Sequence, residues 1–322
     1  MIDRRKLWQF FSTLGIVSCL QLTFSAIPAA AGDPFRDRSP HQIGQNTEAA
    51  FKSLFIGGDY PQARNYLEQA QKRENNDPLV YSMLASLAYI DEDWEGLGDH
   101  GTQTREVAEA LVSTDALRGN LYIAVGHFLE GAYHASKYGA VRGAPQALNK
   151  LQDALKYLKK AEAIASDDPE LNLVKGYMDL MLSVVLPFAD TEQAIERLEN
   201  LARPQYLTYR GIAMAYRDLE DYQNALTYVN RAMEVTPNHP EIHYLKAQIL
   251  HKLGQSQAAK NSFNKALSRP QILPKYLVAQ IFFEACKNQR KLDQRPRNCD
   301  ALRDPIKQGN RLWGPATLPS LD

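Results

Sequence analysis

Between Tyr206 and Pro237 the chain spaces its small and large apolar residues at intervals that leave few folds open to it. With Tyr206 as position 1 of a unit of about 34 residues, Tyr209, Ile212 and Tyr216 stand at positions 4, 7 and 11. That spacing lines one face of a helix. Ala213 and Ala225, at 8 and 20, are small where two antiparallel helices would cross, and a larger side chain there would push the pair apart. Val229 and Ala232 carry a second helix through positions 24 and 27. Pro237 at 32 cannot extend that helix and turns the chain onward. Glu220-Asp221-Tyr222 reads as the turn inside the pair.

The pattern recurs. From Pro240, Ala247, Leu250, Gly254, Ala259, Phe263 and Ala266 take positions 8, 11, 15, 20, 24 and 27. Lys246 at position 7 departs from the pattern and predicts that this helix is slightly rotated or shifted in register. Earlier echoes are looser. Gly58-Asp59-Tyr60 is a turn followed by Ala63, Leu67 and Ala70, and Tyr81, Leu84, Ala85, Ala88 and Trp94 follow Pro78. Residues 117–138 read as a long helix, followed by a glycine-bearing insertion, YGAVRGAPQ, and a second helix ending before Ser166. Pro169-Glu170-Leu171 opens a further unit, whose helices are separated by LPFAD.

Over residues 44–267 this set of positions resembles the tetratricopeptide repeat (TPR). The resemblance implies an all-α, TPR-like α-solenoid of about five or six helix pairs, closed by a capping helix at YLVAQIFFEACKN. Joined to an export signal and a two-cysteine tail, the pattern also resembles an uncharacterised family of exported TPR proteins from photosynthetic bacteria. That family implies no activity.

The domain plan follows: 1–31 a signal peptide, 32–43 a flexible polar lead-in, 44–285 the repeat domain, and 286–322 an irregular tail. The leader reading rests on Arg4, Arg5 and Lys6 before an apolar run, with Ala29 and Ala31 in the A-x-A arrangement that predicts cleavage after Ala31. Ile16-Val17-Ser18-Cys19 also satisfies a lipoprotein signal, so acylation at Cys19 stays open, as does retention of an uncleaved anchor. Membrane association is expected only in those two cases. Export points to the periplasm or an equivalent oxidising envelope compartment, where Cys286 and Cys299 would pair. A bridge closing so short a loop contributes about 3 kcal/mol. A redox-active pair is the alternative, although the spacing is not C-x-x-C. In the tail, Trp313 either plugs an apolar gap against the last helices or belongs to a partner-binding segment.

Lys+Arg and Asp+Glu each total 37, so no bulk charge draws the chain to nucleic acid. No G-x-S-x-G, phosphate-binding glycine loop, H-E-x-x-H or cysteine cluster occurs. No catalytic residue and no cofactor is therefore assigned, and the chain reads as a non-enzyme. His127, Glu130 and His134 share a helix face and form a weak metal candidate.

The TPR resemblance implies that the first helix of each unit lines a concave side at positions 2, 5, 9, 12 and 13. These are Leu207, Arg210, Met214, Arg217 and Asp218, then Glu241, Tyr244, Gln248, His251 and Lys252. Arg210 and Arg217, two turns apart, would point into one groove and hold a carboxylate, with Tyr244 as a flat wall. The lysine and asparagine pattern of the TPR carboxylate clamp is absent. The expected function is a scaffold or adaptor binding a protein segment through Arg210, Arg217, Tyr244, Gln248, His251 and Lys252. The alternative is a small-molecule- or metal-binding component of an envelope transport system, using residues 117–145.

Overall fold

The computed structural model describes residues 32–36, 38, 40–185 and 191–321. The expected leader, its cleavage site, Cys19 and the LPFAD connection lie outside the described residues.

Among the described residues are fourteen α-helices. The first six pairs are α1 (Gln45–Lys52, continued by a π-helical turn) with α2 (Tyr60–Arg73), α3 (Pro78–Ile90) with α4 (Trp94–Leu111), and α5 (Ala116–Arg142) with α6 (Ala144–Ile164). Then come α7 (Pro169–Val185) with α8 (Thr191–Leu201), α9 (Gln205–Asp218) with α10 (Tyr222–Val235), and α11 (Pro240–Lys252) with α12 (Ser256–Ala266). A last pair, α13 (Lys275–Asp293) and α14 (Cys299–Lys307), completes the array. The fold is an all-α, TPR-like solenoid. None of the described helices is long and apolar enough to cross a membrane.

One local code makes most of the pairs. The residue ending the first helix swings into the left-handed region at Gly58, Glu92, Glu220 and Gly254, with φ of 60, 58, 63 and 76°. In the first three an aspartate follows and caps the next helix: Asp59 accepts from Gln62 N, Asp93 from Gly96 N and Asp221 from Asn224 N. Proline then opens α3, α7 and α11, where its missing N–H costs nothing. The crossing alanines are sealed: Ala63, Ala70, Ala213, Ala225, Ala232, Ala247, Ala259 and Ala266 are all 0 % exposed. In α11 the departure at position 7 is accommodated at the edge of the buried face. Leu245 and Ile249 are buried, and Lys246 lies only half-buried beside them.

Three expectations are corrected. The lead-in is a packed strap. Phe35 is buried edge-on against Phe51, with centroids 5.2 Å apart. Arg36 reaches Asp33 at 2.9 Å, Asp168 at 2.5 Å and Glu170 at 3.1 Å. Asp168 and Glu170, distant in sequence, supply the binding that its polar composition hid. The insertion after residue 138 is not a loop, since α5 runs on to Arg142 through a break at Gly139 (φ 73°), and α6 starts at Ala144. The tail, expected to be irregular, holds α14, fastened by the Cys286–Cys299 bridge with Cα atoms 5.7 Å apart. The chain then returns along α13, where Lys275 N donates to Leu312 O and Gly314 N to Leu273 O. Trp313 packs against the core and under the Arg64 guanidinium, 5.5 Å from its centroid.

The first pair also touches the sixth. Tyr60 Oη donates to Glu241 at 2.5 Å, and buried His239 bonds Leu54 O at 3.2 Å. At Gly58 a Cβ would come within 2.6 Å of Pro240 Cδ, so only glycine serves there. This closure brings inner faces from α1 to α9 around one cleft.

Candidate functional site

The inward positions of the first helices form two adjoining surfaces. The first is apolar. A cleft of about 410 Å³ is walled by Phe51, Met83, Phe128, Met178, Leu207 and Met214, and Phe35 of the strap enters it. A neighbouring hollow, also about 410 Å³, extends it past Tyr177, Met181 and Gly211. The serine and tyrosine hydroxyls here are already bonded. Ser82 Oγ donates to Leu79 O, Ser86 Oγ to Ser82 O, and Tyr177 Oη to Leu207 O.

The second surface is polar and larger, about 640 Å³. It is lined by Arg217, Gln248, His251, Lys252, Glu284, Lys287 and Lys291, among others. The Glu284 carboxylate collects Tyr244 Oη at 2.8 Å, Gln248 Nε2 at 3.0 Å and Gln280 Nε2 at 2.7 Å. His251 Nδ1 pairs with the Asn288 side chain at 2.8 Å. Lys252, Lys287 and Lys291 are exposed and have no acidic partner among the described residues. Burial and the adjacent Glu284 push the Tyr244 hydroxyl well above its usual range, so Tyr244 stays a neutral donor.

Of the residues named from sequence, Arg217, Gln248, His251 and Lys252 line this one surface. Arg210 does not. It lies on the apolar cleft, and its Nη2 sits 2.7 Å from Glu241. Burial alone would raise the Glu241 carboxyl. Arg210, His239 and the hydrogen bond from Tyr60 outweigh it and hold that carboxyl low. The convergence of Arg210 and Arg217 on one carboxylate is thus corrected: Arg210 is consumed by the closure, and Arg217 by Asp218 at 2.8 Å and Gln248 at 2.8 Å. Tyr244 is half-buried, its ring 6.4 Å from that of Phe263 and its hydroxyl tied to Glu284.

The metal candidate is corrected as well. Glu130 is buried, and its carboxylate is held by Arg105 at 2.9 Å, by Lys150 and by Thr102 at 3.2 Å. His127 Nδ1 lies 3.4 Å from it, while the His134 ring stacks on Tyr138. Two cations already neutralise the one carboxylate, so the set offers a metal no charge. No described cluster of His, Cys, Asp or Glu fits a metal ion.

Glu284, Lys287 and Lys291 were missed because α13 reads as a cap. Carrying the inward spacing one helix further would have found Gln280, Glu284 and Lys287. The apolar surface had its own signal: Met83, Met178, Met181 and Met214 are four of the 6 methionines of the chain.

Residues 205–271 match the tetratricopeptide repeat family model. No curated protein matches the chain. Among solved structures, a tetratricopeptide repeat protein from Parabacteroides merdae ATCC 43184 shares 15% identity at a TM-score of 0.39, covering 82% of this chain and 98% of its own. Residues 205–271 are thus similar to tetratricopeptide repeats, and stacked helix pairs continue through the described residues on both sides of them.

Proposed function

We propose that the protein is an exported, non-enzymatic scaffold of an oxidising envelope compartment, binding a segment of another protein along its inner face. Solenoids of stacked helix pairs present extended concave surfaces of this kind. The observation that carries the reading is the lysine-lined surface, where Lys252, Lys287 and Lys291 project from two neighbouring inner helices and make no ion pair among the described residues, with Asp218, Glu220 and Glu284 elsewhere on the same surface. A structural disulfide suits the proposed compartment.

The metal arm of the transport-component reading loses its support, because Glu130 is spent on Arg105 and Lys150. Its small-molecule arm would now rest on the apolar side of α5, at Val125 and Phe128.

In-cell crosslinking followed by capture tests the proposal, with Lys252→Glu/Lys287→Glu as the comparison bait. Both side chains are exposed, so the variant should fold; Arg210 would be a poor choice because its loss strands Glu241. The scaffold reading expects a defined set of crosslinked proteins that the variant loses while keeping its helical circular dichroism. An unchanged set would move binding off this surface and overturn the reading.

A further inference from the structure

The two inner surfaces meet on one helix. Leu207, Arg210 and Met214 face the apolar cleft, and Arg217 and Asp218 face the lysine-lined surface. At 1.5 Å of rise per residue, Leu207 and Asp218 stand about 16 Å apart along α9. An extended chain crosses that distance in about five residues. Anything lying along α9 therefore meets both surfaces.

Their chemistries ask for different things. Within the cleft, the hydroxyls of Ser82, Ser86 and Tyr177 are bound to backbone carbonyls, and Arg210 is neutralised by Glu241. A polar occupant would lose its water without recovering hydrogen bonds, so the cleft selects apolar groups. Half-exposed Phe128 and Met214, with exposed Met181, form the adaptable wall on which methionine side chains repack around varied partners. The protein itself shows what fits. The non-helical strap delivers Phe35 into this cleft, where the ring is buried on Phe51. At the other end, Glu284 is saturated by Tyr244, Gln248 and Gln280. With Asp218 paired to Arg217, the three exposed lysines Lys252, Lys287 and Lys291 outnumber the one remaining acid of that surface, Glu220.

We propose that the inner face is a two-part receptor for one protein segment, taking bulky apolar side chains in the Met/Phe cleft and acidic side chains, beyond the far end of α9, on Lys252, Lys287 and Lys291. This rests on the scaffold reading above and specifies its partner. Three lysines spread over α11 and α13 exceed what the single carboxylate of a fatty acid would use, which favours a peptide over an amphiphile.

The test is fluorescence anisotropy of the purified protein with labelled synthetic peptides. In one, a leucine- and phenylalanine-bearing half is joined to a glutamate-bearing half; further peptides reverse the order or shorten the spacer. In the controls, serine replaces the apolar residues or glutamine the acids. The joined peptide should bind, in at least one order. Serine replacement should weaken it by about a hundredfold. Glutamine replacement should weaken it roughly tenfold at low salt, an effect that added salt erases. Met214→Ser should reproduce the first loss and Lys287→Glu/Lys291→Glu the second, each with unchanged circular dichroism.

Equal binding of the acidic and amidated peptides overturns the proposal, as does binding that survives serine replacement. Binding of oleate with no binding of any peptide also overturns it, in favour of an amphiphile site. If the peptides fail while the crosslinked partners still depend on Lys252 and Lys287, only this two-part chemistry falls. If the crosslinks are also indifferent, the scaffold reading falls with it.

Discussion

On α3 and α7 the inward positions carry Met83, Tyr177 and Met178, whereas on α11 and α13 they carry Gln248, Lys252, Glu284 and Lys287. The backbone device is the same in both regions, a first helix laid against its neighbours. What differs is where the charge went. Around the apolar half, charge is buried behind the face: Arg118 pairs with Asp77 at 2.8 Å, Arg36 with Asp168 and Glu170, and Tyr122 Oη donates to Glu170 at 2.7 Å. Around the polar half, charge stands on the surface. Solenoid geometry thus fixes where a face lies, and the residues at a few inward positions decide what it offers.

The largest expected effect breaks the comparison from behind the apolar half. Glu170→Ala leaves the Tyr122 hydroxyl without its acceptor and takes from Arg36 one of its three carboxylates, and should cost about 3–5 kcal/mol, as for other buried ion pairs stripped of one member. Urea unfolding measures it. A cost under about 1 kcal/mol would show that the network resembles a surface pair and does not hold the strap.

Next comes pH, through the closure between the halves. Burial pushes the His239 ring down to about 4 from an ordinary 6.5, against the pull of Glu241. The folded value lies below the unfolded one, so the stability from the neutral ring is complete above about pH 6.5 and fades as pH falls toward about 4. A drop of that size corresponds to about 3 kcal/mol. His239→Gln should flatten the difference between unfolding free energies at about pH 7 and about pH 5. An unchanged difference would assign the acid sensitivity elsewhere.

The disulfide sharpens the comparison from the other side. Cys286→Ser/Cys299→Ser opens a loop with a sequence separation of 13 and should cost about 3 kcal/mol or somewhat less. Hydrogen exchange should quicken in α14 and the tail and leave α3 and α7 unchanged. Faster exchange in both halves would mean that the array unfolds as one unit.

Smallest in stability is Lys287→Glu. An exposed lysine with no acidic partner should change unfolding free energy by less than about 0.5 kcal/mol. The same variant should strip crosslinked partners from the polar half. A larger stability change would reveal that Lys287 serves the fold.

Helix pairing was legible because its signals are local. Gly58-Asp59-Tyr60 and Glu220-Asp221-Tyr222 announce a left-handed residue and an aspartate cap, and both turns form. Ala213, Ala225 and Ala232 announce the crossings, and all three are sealed. The strap was illegible because Arg36 meets Asp168 across 132 positions, and composition alone made it look unbound. The site was half-legible. Gln248, His251 and Lys252 fell where repeat spacing put them, while Lys287 and Lys291 were hidden on a helix that reads as a cap.

By itself, then, the sequence determined the helix, the turn and the small residue at each crossing, since helical period and turn chemistry act within a few residues. Only the tertiary structure decided that Arg210 would be spent on Glu241, that Glu130 would be claimed by Arg105 and Lys150, and that Phe35 would enter the apolar cleft. Those outcomes depend on small rotations accumulated from pair to pair, which bring the first pair against the sixth and which no local spacing encodes.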